Sequence, residues 1–219
     1  MKKLLLTCVL SFFYVTSASA DLGVNVGVSG QAGLFAASAT ESTGTTKKGN
    51  GTEHGSAGWG SVFLEATMND RFMVGIDYVP AALETDTTET AKDDKGVGAV
   101  TATIVTNKIQ VDFEHLTTLY VGAMLTDNFY VKAGVTTVDV ITNENLGTGA
   151  SYGNAELDGN MFGIGYHNAL DNGVFFRFEG NYMNFNGHTV NATGTAADNK
   201  IELRNLDGVS GKLSVGKSF

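Results

Sequence analysis

The sequence predicts an all-β protein, an eight-stranded antiparallel up-and-down transmembrane β-barrel with long loops on one side and short turns on the other. Three observations carry that expectation. Apolar residues alternate with small or polar ones in stretch after stretch, the signature of strands with unlike faces. Long polar connections alternate with short, turn-rich ones. Beyond residue 20 no stretch is continuously apolar for the roughly 18 residues that a membrane helix needs.

The opening segment is a leader rather than a wall element. Met1-Lys2-Lys3 is basic, Leu4 to Val15 is a short apolar run and Ala18-Ser19-Ala20 is a small-residue cleavage site. This is the layout of a secretory signal peptide handled by the Sec pathway, so residues 1–20 are expected to leave and 21–219 to form the barrel. Cys8, the single cysteine, goes with the leader. Neither disulfides nor thiolate metal sites then remain. Of 14 basic residues two are lost with the leader, against 23 acidic ones. A surface so acidic repels nucleic acid. Glycine is abundant, with 28 residues, while Pro80 is the one proline, a composition that suits a tightly curved β-wall.

The first strand, Asp21 to Ala37, sets Leu22, Val24, Val26, Val28, Ala32 and Leu34 against Gly23, Asn25, Gly27, Ser29, Gln31 and Gly33. Thr40 to Gly58 reads as an exposed loop. The second strand, Trp59 to Met68, turns Val62, Leu64, Ala66 and Met68 outward and Ser61, Phe63, Glu65 and Thr67 inward, and Asn69-Asp70 makes a tight turn. The third, Arg71 to about Leu83, alternates Phe72, Val74, Ile76 and Tyr78 with Met73, Gly75, Asp77 and Val79, and Pro80 belongs where the ladder frays or bulges. Glu84 to about Val105 is a second long connection. Ten strands result if Val97 to Val105 folds as an independent member.

From Lys108 the fourth strand has Ile109, Val111, Phe113, Thr117, Leu119, Val121 and Ala123 on the apolar side, with Glu114 on the other. Thr126-Asp127-Asn128 is a short turn. The fifth strand begins at Phe129, with Val131, Ala133 and Val135 outward, and Thr142 to about Asp158 is a third loop. The sixth strand, Gly159 to Asn168, presents Phe162, Ile164 and Tyr166, before the turn signal Asp171-Asn172-Gly173. The seventh, from Val174, opposes Val174, Phe176, Phe178 and Tyr182 to Phe175, Arg177, Glu179 and Asn181. Phe185 to about Asn199 is the fourth loop, and Lys200 to Phe219 is the eighth strand.

The last strand alternates Val209, Gly211, Leu213, Val215, Lys217 and Phe219 with small or polar residues and finishes on an aromatic side chain. It resembles the C-terminal strand of bacterial outer-membrane β-barrels, and the layout of the whole chain resembles the small eight-stranded barrels of the OmpA, OmpX and Opa type. The resemblance implies a Gram-negative outer-membrane location, contact with outer-membrane lipid and lipopolysaccharide, and recognition of Leu213, Val215 and Phe219 by the barrel assembly machinery. Lys217 departs from the pattern, and a lysine there is expected to snorkel to the interface.

A period of two does not by itself distinguish this barrel from a lipocalin-like soluble carrier with its apolar face inward. The charges favour the membrane form. Glu65, Asp77, Lys132, Arg177, Glu179 and Lys212 share the face opposite the apolar one, among Gly and Ser. Eight strands enclose a space that side chains fill. Three acids and three bases there are expected to form a charged network that plugs the lumen, and a narrow diffusion pore is the alternative. Aromatics Phe72, Phe129, Tyr166 and Phe219 lie near the turns, where a membrane girdle belongs.

No cofactor or metal site is expected, since the acidic positions Glu84, Asp86, Glu89, Asp93 and Asp94 lack the spacing of a calcium loop. The protein is not expected to be an enzyme. A lipid A-modifying activity needs a histidine beside a nucleophile and a carboxylate, and only His115-Leu116-Thr117 approaches that, with Glu114 expected to face away. The remaining role is structural and interactive, anchoring four Thr/Gly/Asn-rich loops that present a surface to an extracellular ligand.

Overall fold

The computed structural model describes residues 21–43, 45–94, 99–194 and 199–219. The expected leader, residues 1–20, and residues 95–98 of the second connection lie outside them. The strands are β1 (Leu22–Thr43), β2 (Thr46–Met68), β3 (Phe72–Tyr78), β4 (Leu83–Glu84), β5 (Thr88–Asp94), β6 (Thr103–Met124), β7 (Phe129–Leu146), β8 (Ala155–Ala169), β9 (Val174–Phe185), β10 (His188–Asn191) and β11 (Asn199–Ser218). Because β3, β4 and β5 follow one another along β6, and β9 and β10 follow one another along β11, the wall has eight staves. Every pairing is antiparallel, and β1 closes on β11 from Asn25↔Ser218 to Thr43↔Asn199. The fold is an eight-stranded antiparallel up-and-down barrel.

The register fixes its shape. Following cross-strand partners from Val26 through Leu64, Ile76, Leu119, Val135, Asn160, Asn184 and Asp207 returns to β1 at Ala36, ten residues beyond the start. A stagger of that size tilts the strands by roughly 40° and leaves an interior as wide as its own side chains. The short connections behave as the sequence suggests. Asn69 and Asp70 both take φ of 52°, and across them the Arg71 N–H donates to the Met68 carbonyl at 3.1 Å, closing the tight turn between β2 and β3, while Gly173 supplies φ of 80° after Asp171-Asn172.

Alternation decides which way each side chain faces. Val24, Val28, Leu34, Val62, Leu64, Val121, Phe162, Ile164, Phe178, Leu213 and Val215 are exposed on the outside, while Asn25, Ser61, Glu65, Lys132, Arg177, Lys212 and Ser214 are buried inside. An apolar exterior around an ionic interior is the arrangement of a transmembrane barrel. Phe72, Phe129 and Phe219 are exposed at the short-turn end, where Phe129 meets Tyr166 edge-on at 5.2 Å between ring centres. Lys217 also faces outward, and its Nζ donates to the carbonyl of Asn172 in the adjacent turn, so it snorkels to that rim.

Three expectations are corrected. First, the connections read as loops are largely strand. Thr40 to Gly58 is a continuation of the β1–β2 hairpin, paired up to Thr43↔Thr46, and Glu84 to Val105 contains β4, β5 and the start of β6. β7 likewise runs on to Leu146, β8 starts at Ala155, and β10 lies within the fourth connection. Backbone ladders form there without an apolar face, so side-chain periodicity carries no signal of them.

Second, the apolar face expected for the fourth strand holds only from Thr117 onward. His115 has φ of 54°, and the register slips between Glu114 and Thr117, so two residues of β6 oppose one of β7. Above the bulge the faces exchange: Phe113 packs on the interior cluster. Third, Glu114 is not turned away from His115. Its carboxylate lies 4.0 Å from the imidazole Nδ1.

Candidate functional site in the barrel interior

The interior is stacked in layers along the barrel. Toward the short turns, Phe63, Met73 and Phe175 are buried, with Phe63 and Phe175 ring centres 6.2 Å apart. The charges lie among and beyond them, Asp77 opposite Phe63 in the register and Glu65 two residues nearer the turn. Toward the long-loop end an apolar cluster packs in the interior: Trp59, Val79, Leu116, Val138, Leu157, Met161, Met183, Phe185 and Leu206, with Phe35, Leu83 and Phe113 packed against it. The bulge at His115 is what delivers Leu116 and Phe113 to that cluster.

The structure places all six charged residues singled out from the sequence inside the wall, and it brings them together in two groups. In the first, Arg177 donates from both terminal nitrogens to Glu65, at 2.9 and 2.8 Å, a bidentate fork. Glu65 also accepts from Asn25 Nδ2 at 2.7 Å and from the Tyr120 hydroxyl at 3.0 Å. With four donors on its two oxygens and only 1% of its surface exposed, this carboxylate is fully engaged. Arg177 is enclosed by rings as well, its Cζ standing 4.7 Å from the centre of Phe175, 5.4 Å from Tyr130 and 5.8 Å from Phe63.

In the second group, Lys132 Nζ donates to Glu179 at 2.6 Å and lies 5.0 Å from the centre of the Tyr120 ring. The Tyr130 hydroxyl donates to the other oxygen of Glu179. Lys212 donates to Asp77 and stands 4.0 Å from Glu179, which ties the group together. Three carboxylates thus face three cations across the lumen. Unpaired, any one of them would cost several kcal/mol at this depth. Paired and hydrogen-bonded, they are tolerated.

Glycines make the room. A Cβ on Gly165 would lie 2.3 Å from Tyr130 Cζ, one on Gly75 2.5 Å from the Tyr120 hydroxyl, and one on Gly163 2.9 Å from the Lys132 stem. The groups that hold Glu65 and Glu179 lie directly over these bare backbone positions.

Two features go beyond the sequence reading, which sets Met161 and His167 on the inward face of the sixth strand without giving them partners. The apolar layer is built from Trp59, Met161, Met183 and Phe185, which sit on strand faces otherwise small or polar, so alternation alone does not announce them. His167 also joins the charged layer, its Nδ1 accepting from Arg177 Nε at 3.0 Å. Its neighbour in the register, Arg177, is the residue that could have pointed to it.

Between the charged and apolar layers lies a cavity of about 30 Å³, lined by Gln31, Trp59, Asp77, Lys132, Asn181 and Lys212 among others. At the short-turn end an open vestibule of about 660 Å³ is lined by Asp21, Asn25, Asp70, Arg71, Asp127, Asn128, His167, Arg177 and Phe219. The histidine considered for catalysis lies elsewhere, on the outside. His115 Nδ1 is 3.1 Å from Asp139 and its ring stacks on Tyr78 at 6.4 Å, while the Thr117 hydroxyl donates to the backbone carbonyl of His115 at 2.8 Å. That hydroxyl is therefore directed to the backbone and not to the imidazole. Among the described residues no group of three or more His, Cys, Asp or Glu is arranged to hold a metal ion.

No family model matches the chain, and no curated protein does. Among solved structures, the chain is similar to Ail, the attachment invasion locus protein of Yersinia pestis, at 10% identity, with 88% of this chain and 99% of that one covered and a TM-score of 0.36. It is similar to Neisserial surface protein A at 12% identity, covering 92% and 100%, with a TM-score of 0.39. It is similar to the outer membrane protein OprG from Pseudomonas aeruginosa at 16% identity, covering 90% and 96%, with a TM-score of 0.48.

Proposed function

We propose that the protein is an outer-membrane barrel whose interior is a seal and whose working part is the β-extension carried beyond the lipid. The observation that supports this most is the stacking of two unlike plugs, one ionic and one apolar, in a single narrow lumen. The space between them, about 30 Å³, holds on the order of two waters and no solute. Beyond the apolar belt, β1, β2, β6, β7 and β11 continue as polar strands toward Thr43, Thr46, Thr103, Leu146 and Asn199. They raise a surface for lipopolysaccharide and an extracellular ligand well clear of the bilayer. On the same reading, residues 1–20 are a leader removed on export, and the exposed side chains of Leu213, Val215 and Phe219 are the signal that the assembly machinery reads.

Planar-bilayer recording of the purified protein tests the seal. No steady unitary conductance is expected. Reproducible open channels in the unmodified protein would overturn the proposal in favour of a diffusion pore.

A second reading is favoured by one observation, the seam between β2 and β3. β3 stops at Tyr78, Pro80 offers no N–H, and above Val62 β2 has no partner on that side among the described residues. Trp59, Val79 and Leu116 lie in the apolar layer at that level. A small apolar molecule in the outer leaflet would reach this layer if the seam parted. Trp59 is the only tryptophan, so its fluorescence reports on the event. Saturable quenching by a brominated alkane supports this reading, and quenching that rises without saturation rejects it.

A further inference from the structure

We propose that His167 is a proton-operated latch on the short-turn face of the seal. Arg177 Nε donates to His167 Nδ1 at 3.0 Å. An imidazole that accepts at Nδ1 is neutral and carries its proton on Nε2. The contact therefore exists in one protonation state only. A proton added at Nδ1 removes the acceptor and sets two cations about 3 Å apart.

The surroundings decide where the ring then goes. The backbone of His167 is pinned on both sides, its N–H donating to the Asn128 carbonyl at 2.7 Å and its carbonyl accepting from Asn128 Nδ2 at 3.0 Å. Only the side chain is free to respond. Inward lie the Phe175 ring, 5.0 Å away between centres, and the Arg177 guanidinium. Glu65, the nearest buried carboxylate of this group, already accepts from Arg177 twice, from Asn25 and from Tyr120. Outward lies the open vestibule, whose lining carries Asp21, Asp70 and Asp127 against the exposed cation Arg71, with Lys217 held on the Asn172 carbonyl at the adjacent turn. An imidazolium is repelled by the interior and attracted by the rim. Its departure exposes the Arg177 Nε–H to vestibule water while the Glu65 fork and the apolar layer stay in place. Acid on this side of the membrane thus wets one face of the plug and leaves the barrel closed.

The test is nitrogen-detected NMR of the protein in lipid nanodiscs, between about pH 7.5 and pH 3, a range that extends well below ordinary imidazole titration. At the upper end His167 is expected as the Nε2–H tautomer with a slowly exchanging Arg177 Nε–H. At the lower end the protection of that proton, relative to a free guanidinium at the same pH, is expected to fall about tenfold or more. In His167→Gln the amide oxygen accepts at every pH, so the Arg177 protection should persist in acid. In His167→Phe the proton should be unprotected throughout. An Nδ1–H tautomer at neutral pH, or an Arg177 protection that ignores pH in the unmodified protein, overturns the latch. So does His167→Gln losing the protection over the same pH course, which would move the titration to Glu65.

Discussion

At the scale of single residues, the interior is a set of groups none of which tolerates losing its partner. Replacing Arg177 with Met leaves Glu65 buried without its cation and is expected to destabilise the folded barrel by about 3–5 kcal/mol in urea unfolding from lipid vesicles. Adding Glu65→Gln to that variant should recover a large part of the loss, because the charge left behind is then gone. If the double variant is no more stable than the single one, the pair is not the unit described. Glycine at 165 is a second sensitive point. Gly165→Ala pushes a methyl into Tyr130 and should cost about 1–3 kcal/mol, whereas Gly211→Ala, with nothing within 4 Å of its Cβ, should stay within about 0.5 kcal/mol.

Which residues are charged and inward-facing is written into the sequence by a period of two and by their glycine and serine neighbours. Which acid meets which base is not. Glu65 and Arg177 are 112 residues apart and Asp77 and Lys212 are 135 apart, and they meet only because the wall closes with a particular stagger. Stagger belongs to backbone pairing, which leaves no mark on side-chain alternation. The bulge at His115 was hidden for a related reason. One extra residue shifts the period, so Phe113 reads as lipid-facing until the slip is seen.

At the scale of elements, the misread segments share one property. Thr40 to Gly58 is rich in threonine, glycine and serine because both of its faces meet water or a narrow lumen, and composition alone makes such a strand look like a loop. Amide exchange separates the two descriptions. Along β1 both edges are paired, to β2 and to β11, so amides from Leu34 to Glu41 should be protected throughout. Along β2 between Thr46 and Gly60 only the edge toward β1 is paired, so protection should alternate residue by residue. Uniformly fast exchange over Thr46 to His54 would return that stretch to loop.

At the scale of the whole molecule, the barrel is a membrane protein by virtue of its outside. Leu64 is 52% exposed in the middle of the apolar belt. Leu64→Arg should cost about 2–4 kcal/mol in lipid, the penalty for a cation on the bilayer-facing wall. A change under about 0.5 kcal/mol would mean that this face does not meet hydrocarbon. The eight-stave plan was legible in the chain because lipid on one side and a crowded lumen on the other impose opposite chemistry on alternate residues. The apolar cap above the charges was not, since Trp59, Met161, Met183 and Phe185 interrupt that rule where the barrel leaves the bilayer.

The unequal lengths of the joints bear on how the molecule comes apart. The closing joint between first and last strands runs from Asn25 to Thr43, yet the joint between β2 and β3 spans only Val62 to Met68. Under heat or mechanical load a cylinder splits along its shortest weld. This one should unzip beside Pro80, leaving the ends of the chain still fastened to each other.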